Sequence, residues 1–83
     1  MISEASRATV QKARWIYESQ LREKLEQGSR DQFVCIEPTS GQYFLGSTFD
    51  DAVNAAINAY PDRLSHTLRI GHSAALHLGV MVQ

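Results

Sequence analysis

The sequence predicts an α+β domain of two layers in the order α-β-β-α-β-β. The expected sheet is four-stranded and largely antiparallel, with both helices on one face. Two observations carry that expectation. Two stretches repeat apolar residues at helical spacing, and four others alternate or run apolar over strand lengths, with turn residues between them. A chain of 83 residues holds one domain, 1–83.

Residues 1–28 form the first helix, with good helix formers over about 3–27 and no interrupting Gly or Pro. Val10, Ala13, Tyr17, Leu21 and Leu25 share one apolar stripe. Arg14 with Glu18, Glu18 with Arg22, and Arg22 with Glu26 are i,i+4 pairs on the wet side. Gly28 is the expected stop just past the helix, where positive φ is cheap. At about 100° per residue, Trp15 points about 140° away from the stripe and Ile16 about 120° off on the other side. Ala8 falls between them. A domain with two helices is too small to cover both sides of one of them. Trp15, Ile16 and Ala8 are therefore expected to anchor a contact with another chain.

Phe33-Val34-Cys35-Ile36 is an apolar run within the strand from Gln32 to Glu37, which calls for cover on both faces and an interior position. Pro38-Thr39-Ser40-Gly41 is a turn, and Gln42 to Gly46 returns, completing a hairpin over 32–46. The second helix spans 48–60. Thr48 is its N-cap, Asp51 completes an aspartate version of the capping box, and Asp50 and Asp51 suit the macrodipole. Phe49, Ala52, Val53, Ala56, Ile57 and Tyr60 form its core stripe, and Pro61 ends it. Leu64, His66, Leu68 and Ile70 alternate, as do Ala74, Leu76, Leu78, Val80 and Val82. With Gly71-His72-Ser73 as the loop, they form a C-terminal hairpin over 64–82; a short helix over 73–78 is the competing reading.

Charge excludes some functions by its distribution. The net charge is −1, unlike that of a nucleic-acid-coating protein. Asp31, Glu37, Asp50, Asp51 and Asp62 make an acidic middle between mildly basic flanks, complementary within the fold or between subunits. The longest uncharged run, Ile70 to Gln83, falls short of the ~20 apolar residues a membrane span needs, so no membrane partner is expected. The opening residues lack a basic-then-apolar leader, and one cysteine makes no internal disulfide; both suit a cytoplasmic protein.

Candidate chemistry is sparse. His66, His72 and His77 match no metal spacing, even with Cys35 or Asp62 as a fourth group, so no metal site is expected. Cys35, flanked by Val34 and Ile36, is a core cysteine. No phosphate or dinucleotide fingerprint occurs, so no cofactor is expected and no residue is assigned as catalytic. His66 breaks an apolar face, which makes His66, Thr67 and His77 the candidate polar or ligand site.

Several strings also resemble a known group: Trp15-Ile16-Tyr17-Glu18, Leu21-Arg22-Glu23-Lys24-Leu25-Glu26, Phe33-Val34-Cys35-Ile36 with Ser40-Gly41, Leu45-Gly46 with Asp51-Ala52, Tyr60-Pro61, and Arg69-Ile70-Gly71. Together they are similar to a family of small bacterial α+β domains of unknown function. That family is frequent in cyanobacteria and planctomycetes, and some members neighbour toxin–antitoxin genes. The resemblance covers about residues 12–80. It implies a bacterial cytoplasmic origin and a partner-binding role, and it transfers no catalytic residue.

The expected function is a non-enzymatic protein–protein interaction module, self-associating as a homodimer and antitoxin-like in kind. One alternative is a small oligomeric enzyme or ligand-binding subunit working near His66 and His77. Another is a nucleic-acid-binding regulator using Arg7, Lys12, Arg14, Arg22 and Arg30, although glutamates interleave with these cations.

Overall fold

The computed structural model describes residues 3–72. The N-terminal helix is α-helical over Glu4–Ile16, π-helical over Tyr17–Leu21 and α-helical again over Arg22–Gly28. Strands β1 (Phe33–Glu37) and β2 (Gln42–Gly46) follow, then the second helix (Phe49–Ala59) and strand β3 (His66–Arg69). Among the described residues the sheet is antiparallel, with three strands ordered β2-β1-β3. The expected fourth strand, and the competing helix over 73–78, lie outside the described residues.

Local chemistry sets the boundaries. Ser3 caps the first helix by accepting the Ser6 N–H at 3.0 Å. Thr48 caps the second by accepting the Asp51 N–H at 3.1 Å. The other half of the capping box does not form; the Asp51 carboxylate takes the Ser47 hydroxyl at 3.3 Å instead. Gly28 is not the positive-φ stop. It is the last helical residue, and the chain turns left-handed at Asp31, with φ of 75°. Aspartate tolerates that region better than most side chains because its short polar group bonds locally.

The two helices lie on opposite faces of the sheet, which corrects the two-layer expectation. Val34 and Ile36 face the N-terminal helix and pack with Ala13, Ile16, Tyr17, Leu21, Leu25, Leu68 and Ile70. Cys35 points the other way, to Ala52 and Ala56 of the second helix, with Phe33 and Phe44 alongside. The physical reason is the apolar run itself. Adjacent strand residues alternate sides, so Val34, Cys35 and Ile36, each 0% exposed, need a cover on either side. Full burial of a Val or Ile side chain is worth ~1.5–3 kcal/mol, so neither face can be left open cheaply.

The π turn corrects the first helix's stripe. Arg22 N–H bonds to the Tyr17 carbonyl, five residues back, and Leu21 takes φ of −116° to fit the extra residue. The Ser19 hydroxyl donates to the Trp15 carbonyl at 2.6 Å, a back-bond that opens helices locally. One inserted residue sets the downstream helix back by about 100°. Leu21 and Leu25 then lie where a straight helix puts positions 20 and 24. With Ala13, Ile16 and Tyr17 they complete a regular i, i+3, i+4, i+7, i+11 stripe. Ile16 is drawn into the core at 4% exposure, and Val10 is left at its border.

The second helix buries only part of its expected stripe. Ala52 and Ala56 are buried, and Val53 and Tyr60 half-buried, but Phe49 and Ile57 are exposed. Phe49 still meets Phe33 edge-on, with ring centroids 6.2 Å apart.

Candidate functional site

Trp15 is 61% exposed, on the side of the N-terminal helix turned away from the sheet. Beside it Gln11, Arg14 and Glu18 line a shallow groove of about 350 Å³. Ala8 is exposed two helical turns back. Ile16 does not belong to this surface, because the π turn places it in the core. The expected contact patch therefore reduces to Trp15 and Ala8, with Arg14, Gln11 and Glu18 around the indole.

The charges on this helix are unevenly matched. Glu18 Oε1 accepts from Arg22 Nη1 at 2.8 Å, and Arg22 Nε reaches Glu26 Oε2 at 3.2 Å. The hydrogen bond to Glu18 raises the Arg22 guanidinium above its ordinary pKa. Glu26 also accepts from the Tyr17 hydroxyl at 3.1 Å and pairs with Arg30 at 3.5 Å. The expected Arg14–Glu18 pair does not form, because Arg22 takes that carboxylate. The Arg14 side chain has no hydrogen bond or ion pair among the described residues. Among the described residues, a guanidinium with no side-chain partner thus stands next to an exposed indole, one turn from a carboxylate whose second oxygen accepts no hydrogen bond.

The other candidate residues are not gathered into one place. His66 pairs with Ile36, on the N-terminal-helix face of the sheet. Thr67 pairs with Cys35, on the second-helix face. The two point to opposite sides, and His77 lies outside the described residues. Cys35 is 0% exposed, with Sγ 3.2 Å from the Ser65 hydroxyl. Among the described residues no group of His, Cys, Asp and Glu could hold a metal. No described helix is long and apolar enough to cross a membrane.

Two polar centres went unnoticed at the sequence level. Glu37, at the end of β1, is 1% exposed. Its carboxylate accepts the Thr39 and Ser40 N–H groups at 2.8 and 2.9 Å and Arg63 Nη1 at 3.0 Å. Burial pushes its pKa up, but hydrogen bonds from Ser40, Thr39 and Arg63 outweigh this and hold it at about 2. The second centre is a corner where Asp31 Oδ1 meets His72 Nε2 at 2.9 Å. Arg69 Nε donates to the Asp31 carbonyl at 3.3 Å, and Arg30 reaches the Gly71 carbonyl at 3.5 Å. The bond to His72 lowers the Asp31 pKa. This corner ties the start of β1 to the turn after β3, and it explains structurally why Arg69, Ile70 and Gly71 occur together: Gly71 turns at φ of 88° against the Arg30 side chain.

No protein-family model, curated protein or solved structure matches the chain.

Proposed function

We propose that this protein is a non-enzymatic protein–protein interaction module that self-associates through the Trp15 face of its N-terminal helix. The observation that carries this reading is the indole at 61% exposure on the side opposite the core. Tryptophan is among the residues most enriched at the energetic centres of interfaces, and leaving it in water forfeits its large apolar area. The small size of the patch suits a weak, reversible contact of the kind that buries less than ~1,200 Å². The resemblance to the bacterial family with toxin–antitoxin neighbours is in keeping with an antitoxin-like, cytoplasmic role.

The alternatives lose support from the same geometry. A ligand site using His66 and Thr67 would have to act on both faces of the sheet at once. A nucleic-acid surface would draw on Arg22 and Arg30, which glutamates already hold.

Light scattering over a concentration series tests the reading. The mass is expected to rise from the monomer's 9.3 kDa toward the dimer's. Trp15→Ala should stay monomeric throughout, with an unchanged far-ultraviolet circular dichroism spectrum. A wild-type mass that never rises, or a Trp15→Ala mass that rises like the wild type's, sinks the proposal.

A further inference from the structure

We infer that the partner seated on the Trp15 face is a second copy of this chain, docked antiparallel about a two-fold axis near residue 16, with Arg14 of each copy meeting Glu18 of the other. This rests on the Trp15 face being the contact surface, and it specifies what that surface recognises.

Glu4, Ala8, Gln11, Trp15 and Glu18 are all exposed and follow one another at steps of 4, 3, 4 and 3. That spacing sets them along one face of the helix, a strip on which a second helix can lie. The groove makes three demands of that helix. It must cover an indole, supply an anion to Arg14, and offer a cation to the open side of Glu18. The same groove on a second copy presents an indole, a glutamate and an arginine. A two-fold axis near residue 16 exchanges positions 14 and 18, so both cross pairs form together. It also sets each indole about 1.5 Å from the axis along the helix, close enough to stack on its mate. An isologous contact of this kind closes on itself and adds no further subunits. A parallel pairing would set Arg14 against Arg14 and is disfavoured by charge.

Charge reversal tests the arrangement. Arg14→Glu alone and Glu18→Arg alone each replace two attractions by two repulsions. Each is expected to weaken self-association by about tenfold or more at low salt. Mixing the two variants restores both pairs in the mixed dimer, whose dissociation constant should return to within about threefold of the wild type's. Glu18→Arg also puts a like charge beside Arg22, but that cost is present before and after mixing and cancels. Variants that associate like the wild type, or a mixture that does not recover, overturn the antiparallel pairing. If Trp15→Ala still abolishes association in that case, the Trp15 face remains the contact surface and only the pairing is lost. If the wild type stays monomeric and its tryptophan emission is blue-shifted at every concentration, the indole is covered within its own chain, and both readings fall.

Discussion

Glu37 shows how one side chain can be buried and stay ionised. Three donors surround its carboxylate, two of them backbone N–H groups of the turn that follows. Its folded pKa of about 2 lies below the ordinary 4.5. The charged form is thus favoured by folding. The stabilisation, about 3 kcal/mol, is complete above the ordinary value and is lost as pH falls from about 4.5 toward 2. Urea unfolding at pH 7, 4 and 3 should show that loss. Glu37→Gln should cost ~2–4 kcal/mol at pH 7 and flatten the acid dependence. An acid limb just as steep in Glu37→Gln would assign the effect to another group. The sequence hid this site because a glutamate closing a strand looks solvent-facing. The turn amides of Thr39 and Ser40 were a usable signal, whereas Arg63 comes from a distant loop that no local pattern connects. Gly28 and Asp31 show the same limit: glycine is the cheaper residue for a left-handed turn, yet its bond to His72 suits Asp31 to that place.

The π turn is the element-scale lesson. A straight helix at about 100° per residue assigns Ala13, Tyr17, Leu21 and Leu25 to the core correctly but rejects Ile16. An insertion in the hydrogen-bond ladder changes the phase and leaves no mark on composition; the Ser19 back-bond is the only local cue. Deleting Gln20 should turn the π segment into ordinary α-helix while Leu21 and Leu25 keep their places, at a cost below ~1 kcal/mol. Inserting one alanine after Gln20 rotates both leucines a further ~100° and should cost several kcal/mol. Thermal melts of the two variants decide it; equal losses would mean that the turn does not set the phase. The second helix has its own constraint. A Cβ built at Gly46 would lie 2.5 Å from the Ala52 nitrogen and 2.7 Å from the Asp51 Cβ. Gly46→Ala therefore forces the helix off β2 and should lower stability by ~1–3 kcal/mol, read from a denaturant midpoint.

At the scale of the whole molecule, the layering follows from β1. Its apolar run foretold cover on both faces, and the structure supplies it. The expectation of both helices on one face came from choosing the simplest packing for two helices and a sheet, and it conflicted with that run from the start. The hairpin and the second helix were legible because Gly41, Thr48 and Pro61 mark their ends. The exposure of Trp15 and Ala8 on the side away from the core was legible, since the helix upstream of the π turn is regular. That Arg14 does not pair with Glu18 was not, because it depends on which arginine wins that carboxylate.

The lone thiol of Cys35 lies between β1 and the second helix, at 0% exposure and among small alanines. A thiol reagent can reach it when that helix, or the Ser65 segment beside it, lifts from the sheet, so its modification rate becomes a clock for opening on that side of the native protein. In Gly46→Ala the clock should run faster, and in Trp15→Ala at the wild-type pace. A chemist with a single colorimetric reagent can thereby watch one seam of this sandwich breathe while the other stays shut.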